Sequence, residues 1–151
     1  MASEEDLKAI TALINLAFAK VEQFFVEGDR ISEAEVIASM QTGVFLVAER
    51  DGELEGCVYV EPHGLRAYFG LLSVNPEIQQ NGAGSHLIKA AEEYGRKLGC
   101  EFMDIKIVNL RSELPDFYRK RGYIETGTSP FPPEVETKLP CHFIDMSKRL
   151  V

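Results

Sequence analysis

An α+β fold, with a mixed, largely antiparallel central sheet flanked by helices, follows from three features of the 151-residue sequence. Two amphipathic helical stretches open the chain, and three strand-like runs separated by turn signals come next. The third feature is a strand, a glycine-bearing loop, an amphipathic helix and a further strand. A crossover of that length favours a parallel pair, here strands at about 66–74 and 102–108.

Ser3-Glu4-Glu5-Asp6 reads as a cap, with the Ser3 hydroxyl and an acidic side chain three residues on. Leu7, Ile10, Leu13, Ile14, Ala17, Val21, Phe24 and Phe25 then keep helical spacing until Gly28, as one rod or two pieces with a bend. Ser32 opens a second helix with Glu35 as capping partner, and Ile31 is placed to staple onto Val36. Val36, Ile37 and Met40 form its inner stripe, and Gly43 ends it. Strands at 44–49 and 54–61 are joined through Asp51-Gly52, a strong hairpin signal. Pro62-His63-Gly64 makes the next turn. A third antiparallel strand runs from about Arg66 to Val74. The later helix buries Leu87, Ile88, Ala91 and Leu98 and stops at Gly99, before the strand at 102–108.

A short helix capped by Ser112 carries Pro115 in its first turn, where the missing N–H costs little. Leu114, Phe117 and Tyr118 form one face, Gly122 ends it, and Arg119-Lys120-Arg121 complement the negative helix end. Residues 123–128 and 141–146 close the sheet as a pair. The loop between them holds Pro130, Pro132, Pro133 and Pro140, and either lines a substrate mouth or lies passively on the surface. No repeat, low-complexity tract or domain boundary interrupts the chain, so residues 1–151 are expected to form a single domain.

The loop after residue 74 is where chemistry concentrates. Gly82 and Gly84 lack a Cβ, so their backbone admits close approach by a ligand. The amides that open the next helix have no partner within it and lie at its positive end. That suits a phosphate or pyrophosphate. Gly82-Ala83-Gly84-Ser85-His86-Leu87 fails the dinucleotide fingerprint at Leu87, and the Gly-Lys-Ser/Thr tail of a P-loop is absent.

Gln79-x-x-Gly82-x-Gly84 after a strand ending Leu-x-Val resembles the acyl-coenzyme A signature of the GNAT acetyltransferase superfamily. Phe117-Tyr118-x-x-x-Gly122-Tyr123 is similar to the family's Phe-Tyr-x-x-x-Gly-Phe segment, with Tyr123 in place of the usual Phe. The order of elements resembles the GNAT fold over nearly the whole chain. It departs in one respect: the usual first strand is missing, which leaves a sheet edge bare or covered by a partner.

The resemblance implies acyl transfer from acetyl-CoA to an amine by direct attack. Strands 66–74 and 102–108 are then expected to splay near Leu72–Val74, where the unpaired backbone of Leu72, Ser73 and Val74 pairs with the pantetheine arm. An N–H near Leu72 or Ser73 would polarise the thioester carbonyl. Gln79 belongs to the signature, and the amides of Gln80, Asn81, Gly82, Ala83, Gly84 and Ser85 would hold the pyrophosphate. Asn109 resembles the asparagine that contacts pantetheine or an ordered water. Tyr118 matches the tyrosine that donates a proton or hydrogen bond to the departing thiolate. Arg111, Lys89 and Arg119 are candidates for the ribose phosphate. The general base stays open, with Glu49, Glu61, His63 and a water chain all available.

Composition narrows the partners. Hydrophobic residues make up 45% of the chain and charged residues 26%, an ordinary globular balance. The net charge of −8 is a poor fit to nucleic acid. No apolar run is long enough to span a membrane. Residues 1–78 hold 5 basic and 14 acidic side chains, whereas residues 79–121 hold 8 and 6. The basic stretch suits an anionic cofactor, and the acidic one a cationic amine. Cys57, Cys100 and Cys141 have no metal or disulfide spacing and read as small buried hydrophobes. His86 and His142 likewise have no metal-ligand partners at suitable spacing. The expectation is a cytoplasmic N-acetyltransferase acting on a primary amine of a small or amino-acid-like acceptor, as a homodimer if the bare edge is paired. The alternative is a non-catalytic acyl-CoA-binding sensor or complex subunit.

Overall fold

The computed structural model describes residues 1–22, 30–76, 82–132 and 139–151. Elements run in the order α1 (Leu7–Glu22), α2 (Glu33–Thr42), β1 (Val44–Arg50), β2 (Glu53–His63), β3 (Arg66–Val74), α3 (Ala83–Lys97), β4 (Phe102–Val108), α4 (Leu114–Arg119), β5 (Ile124–Pro130) and β6 (His142–Arg149). They build a six-stranded sheet in the order β1-β2-β3-β4-β6-β5, antiparallel except for β3 and β4.

Strand β2 shows why both faces are covered. Cys57 and Tyr59 point to one side and join Ile10, Leu13, Ile14, Ile31 and Val36 beneath α1 and α2. Val58 and Val60 point to the other and join Leu87, Ile88 and Ala91 of α3. Successive side chains alternate across a strand, so a central strand reads as a continuous apolar run.

Local chemistry fixes the ends. The Ser3–Asp6 cap forms, with the Ser3 amide donating to Asp6 at 3.0 Å, and leads through a 3-10 turn (Glu4–Asp6) into α1. Ser32 and Glu35 cap α2 reciprocally, each amide bonded to the other side chain at 3.2 Å. Asp51 and Gly52 sit at φ +53° and +80°, as a tight hairpin twisted like its strands requires. Several expectations are corrected. Ile37 and Leu98 are 40% and 47% exposed, because the faces they occupy meet no neighbouring layer. Strand β2 continues through His63, so the turn falls at Gly64, which carries the positive φ. Glu113, not Ser112, precedes α4. The continuation of the first helix toward Gly28 lies outside the described residues.

Among the described residues no strand precedes α1. The free edge of β1 instead receives the Ala2 amide, which donates to the Phe45 carbonyl at 2.8 Å.

Buried phenols give the fold an alkaline limit. Burial pushes Tyr59 and Tyr118 each up to about 12, and burial with the Glu92 carboxylate beside it raises Tyr123 as well. A tyrosine in the unfolded chain titrates near 10. The stabilisation is therefore complete below about pH 10 and is lost as pH climbs through 12, at about 1.4 kcal/mol per unit per phenol. The buried Cys57 thiol, also pushed up to about 12, adds a loss that starts near pH 9, so urea midpoints measured at pH 7, 8 and 11 should hold between the first two and drop at the third. A midpoint unchanged at pH 11 would contradict the burial of these rings.

Candidate active site

Strands β3 and β4 pair only at Arg66↔Phe102, Ala67↔Met103 and Tyr68↔Asp104. The Arg66 guanidinium clamps that closed end, donating to both Asp104 oxygens at 2.7 and 2.6 Å. Beyond Tyr68 the strands part, so the opening begins earlier than the expected Leu72–Val74. Three residues further on, β3 bulges. Leu71 and Leu72 together face Val58, and Leu71 takes φ +54°, a strained value for a branched side chain.

A cavity of about 480 Å³ occupies the opening. Leu72, Val74, Gly84 and Tyr118 line it, whereas Ser73 is buried behind the strand with its hydroxyl bonded to the Leu71 carbonyl at 3.0 Å. Gly82 precedes α3 at φ +70° and has no side chain to cap the amides that follow. Gly84 is more telling. Its φ is ordinary, and a Cβ there would meet only Val74 Cγ2, at 3.7 Å. Glycine inside a helix costs about 1 kcal/mol relative to alanine, so neither backbone nor packing explains it. The omitted methyl leaves the helix mouth open beside Val74. Gln79, Gln80 and Asn81 lie outside the described residues.

Arg121 reaches this mouth. Its guanidinium donates to Ser85 Oγ and to the Phe117 carbonyl, both at 2.8 Å, and lies 3.6 Å from the Phe117 ring centre. The candidates for the ribose phosphate are placed differently. Arg119 is bonded to Asp116 at 2.7 Å and to Glu125, Arg111 is paired with Glu113 at 2.9 Å, and Lys89 is exposed on α3.

Tyr118 is 6% exposed and packed edge-on against Phe117 and Tyr123, with ring centres 5.0 and 5.7 Å away. Burial raises its phenol, and the charges of Arg111 and Arg121 oppose the rise. Asn109 stands apart from the cavity lining. Its Oδ1 accepts from the His142 amide at 2.8 Å, and its own amide donates to the His142 carbonyl at 2.9 Å, tying the end of β4 to the start of β6.

None of Glu49, Glu61 and His63 lines the cavity, but Glu61 is a cross-strand neighbour of Tyr68, which does. Hydrogen bonds from Thr42, Tyr59 and His63 hold the Glu61 carboxyl below its ordinary value. The Tyr59 phenol stands 2.8 Å from it and His63 Nε2 2.7 Å. No metal-binding cluster of His, Cys, Asp or Glu occurs among the described residues.

A model of the acetyltransferase (GNAT) family matches residues 9–123. The chain belongs to that family. The amino-acid acetyltransferase of Azotobacter vinelandii (strain DJ / ATCC BAA-1303) is 24% identical over 108 residues, covering 70% of this chain and 24% of that protein. The chain thus spans about a quarter of that relative's length. The ribosomal-protein-S18-alanine N-acetyltransferase of Escherichia coli superposes with a TM-score of 0.76 at 14% identity, over 99% of this chain and 90% of that one. The PaiA N-acetyltransferase of Thermoplasma acidophilum, solved in complex with coenzyme A, gives 0.78 at 18% identity, over 98% and 95%. These two likenesses establish the GNAT fold. Acetyl-CoA is the co-substrate of the family.

Reading the sequence alone overlooked several side chains of this GNAT cavity. Phe18, Arg30, Tyr68, Lys106, Phe131 and Phe143 line it from four elements and two loops. Tyr68 has a local trace: its hydroxyl sits where a Cβ on Gly70 would come within 2.4 Å, so the glycine two residues on makes room for the ring. Arg121 left none, because a cation at a helix end already has a sufficient explanation.

Proposed function

We propose that this chain transfers an acetyl group from acetyl-CoA to the primary amine of a small, amino-acid-like acceptor by direct attack. The parting of β3 from β4 after Tyr68↔Asp104 carries the reading, because it leaves one side of β3 open within a cavity that Tyr118 lines. When bound, acetyl-CoA supplies an activated thioester carbonyl.

The chain's own groups divide the remaining work. The backbone of Leu72, Ser73 and Val74 holds an extended arm as an added strand would be held. The amides of Gly82, Ala83, Gly84 and Ser85, with Arg121 beside them, hold the diphosphate. An N–H at Leu72 or Ser73 polarises the reacting carbonyl. Tyr118 presents a proton to the departing sulfur, and Asn109 positions the end of β4. The match to an amino-acid acetyltransferase supports an amino-acid-like acceptor.

Coenzyme A release from acetyl-CoA over a panel of amines tests this. Turnover with at least one acceptor is expected. Tight coenzyme binding with no turnover across the panel would establish the sensor reading instead.

Gly84 gives a test with opposed signs. Gly84→Ala should raise stability by up to about 1 kcal/mol, the helix propensity gained. It should also weaken coenzyme A binding at least about tenfold, since the methyl occupies the mouth. Thermal denaturation and calorimetric titration read the two effects, and unchanged affinity would remove the phosphate site from this loop.

A further inference from the structure

We propose that the acceptor end of the cavity selects an α-amino acid with an aromatic side chain, with Arg30 holding its carboxylate. The proposal rests on the acetyl-transfer reading above. The cavity has two chemically distinct sides. Leu72, Val74, Phe117 and Tyr118 belong to the cluster beneath α3, the side assigned to the coenzyme. Phe18 and Tyr68 belong to the cluster beneath α1 and α2, on the opposite face of the sheet. Phe131 and Phe143, tilted at 33° to each other with ring centres 4.9 Å apart, add a second aromatic wall.

Charge completes the argument. Among the described lining residues Glu113 is the sole carboxylate, and it is paired with Arg111. The other lining cations are Arg30, 5.3 Å from the Phe18 ring centre, and Lys106, 5.8 Å from that of Phe143 and hydrogen-bonded to Ser129 at 3.4 Å. Each cation lies over an aromatic wall. A polycationic acceptor would meet like charge here, whatever the acidic balance of residues 1–78. A carboxylate meets a guanidinium fork whose geometry matches it. The cavity of about 480 Å³ takes the end of the acyl arm together with the acceptor, which favours one amino acid over a folded protein segment.

The test compares L-phenylalanine, L-phenylalaninamide and 2-phenylethylamine as acceptors for the full chain with acetyl-CoA. The acid should exceed both others in kcat/KM by about tenfold to a hundredfold, the usual range for a hydrogen bond to a charged group. Arg30→Gln should bring that ratio close to one, chiefly through KM, and Arg30→Lys should recover part of it. Equal rates for the three acceptors, or a ratio that survives Arg30→Gln, overturn the proposal. Preference for the amide would indicate a peptide N-terminus and overturns it too. If no amine turns over, calorimetry with coenzyme A present compares N-acetyl-L-phenylalanine with N-acetyl-2-phenylethylamine. Binding that needs the carboxylate and is lost in Arg30→Gln upholds the acceptor site while the acetyl-transfer reading fails. Binding indifferent to the carboxylate, or no binding, overturns the site.

Discussion

Tyr118→Phe is expected to lower kcat by about 10²–10³-fold, the usual cost of losing one donor to developing charge, while leaving coenzyme A affinity within about twofold of the native value. The substitution removes one hydroxyl and nothing else from a ring held by Phe69, Phe117 and Tyr123. Packing is therefore kept, and the loss reports the proton. The phenol is pushed up to about 12 by burial, with Arg111 and Arg121 pulling against the rise. A thiolate resembling that of cysteine has a proton affinity near 8.5, well below that of this buried phenol, so full transfer is uphill. In the proposed mechanism Tyr118 therefore serves as a hydrogen-bond donor that tightens as charge develops on sulfur. It does not act as an acid that has already let go. Two readouts follow. The pH–rate profile should show no descending limb from this group below about pH 10, because the protonated form is the working one. The Phe variant should lose kcat with little change in KM for acetyl-CoA. Undiminished turnover would strip Tyr118 of the role.

What the chain spelled out locally was legible, and what it assembled from a distance was not. Asp51-Gly52, the Ser32–Glu35 cap and the stop at Gly99 each act within a few residues, and each forms. The parallel pair was legible for the same reason, since a strand, helix and strand in sequence leave few alternatives. The place where that pair opens, after Tyr68, was not, nor was the bulge at Leu71, because nothing in the residues of β3 announces either. Leu98 and Ile37 failed for a tertiary reason: helical spacing identifies an apolar position without saying whether a neighbouring layer covers it. The acceptor wall was the hardest part. Phe18, Arg30, Tyr68, Lys106 and Phe143 come from places up to 125 positions apart in the chain, and no spacing rule joins them. The coenzyme side was easier because one loop and one helix start carry most of it.

Glu92 tests how far the rest of the protein supports Tyr118. Only 4% of it is exposed, and it faces the sheet from α3. The Tyr123 phenol donates to it at 2.8 Å, and Lys148 Nζ lies 3.1 Å from both carboxylate oxygens. Glu92→Ala removes the shared acceptor and leaves an ammonium and a phenol without their partner, a loss of roughly 3 kcal/mol. Lys148 retains 24% side-chain exposure, so water softens the penalty at that end and the lower part of the usual range applies. Glu92→Leu combined with Lys148→Met should cost well under the single change, because a buried pair replaced by apolar volume is often neutral. Denaturant midpoints at constant slope measure both. A cost below about 1 kcal/mol for Glu92→Ala would mean that solvent already reaches the pair. Tyr123 also supports the Tyr118 ring, so the milder Glu92→Gln should leave kcat and KM within about twofold. The carboxamide keeps an acceptor for the Tyr123 hydroxyl and gives up only the attraction to Lys148. Loss of kcat as large as that in Tyr118→Phe would place the critical proton on this network instead.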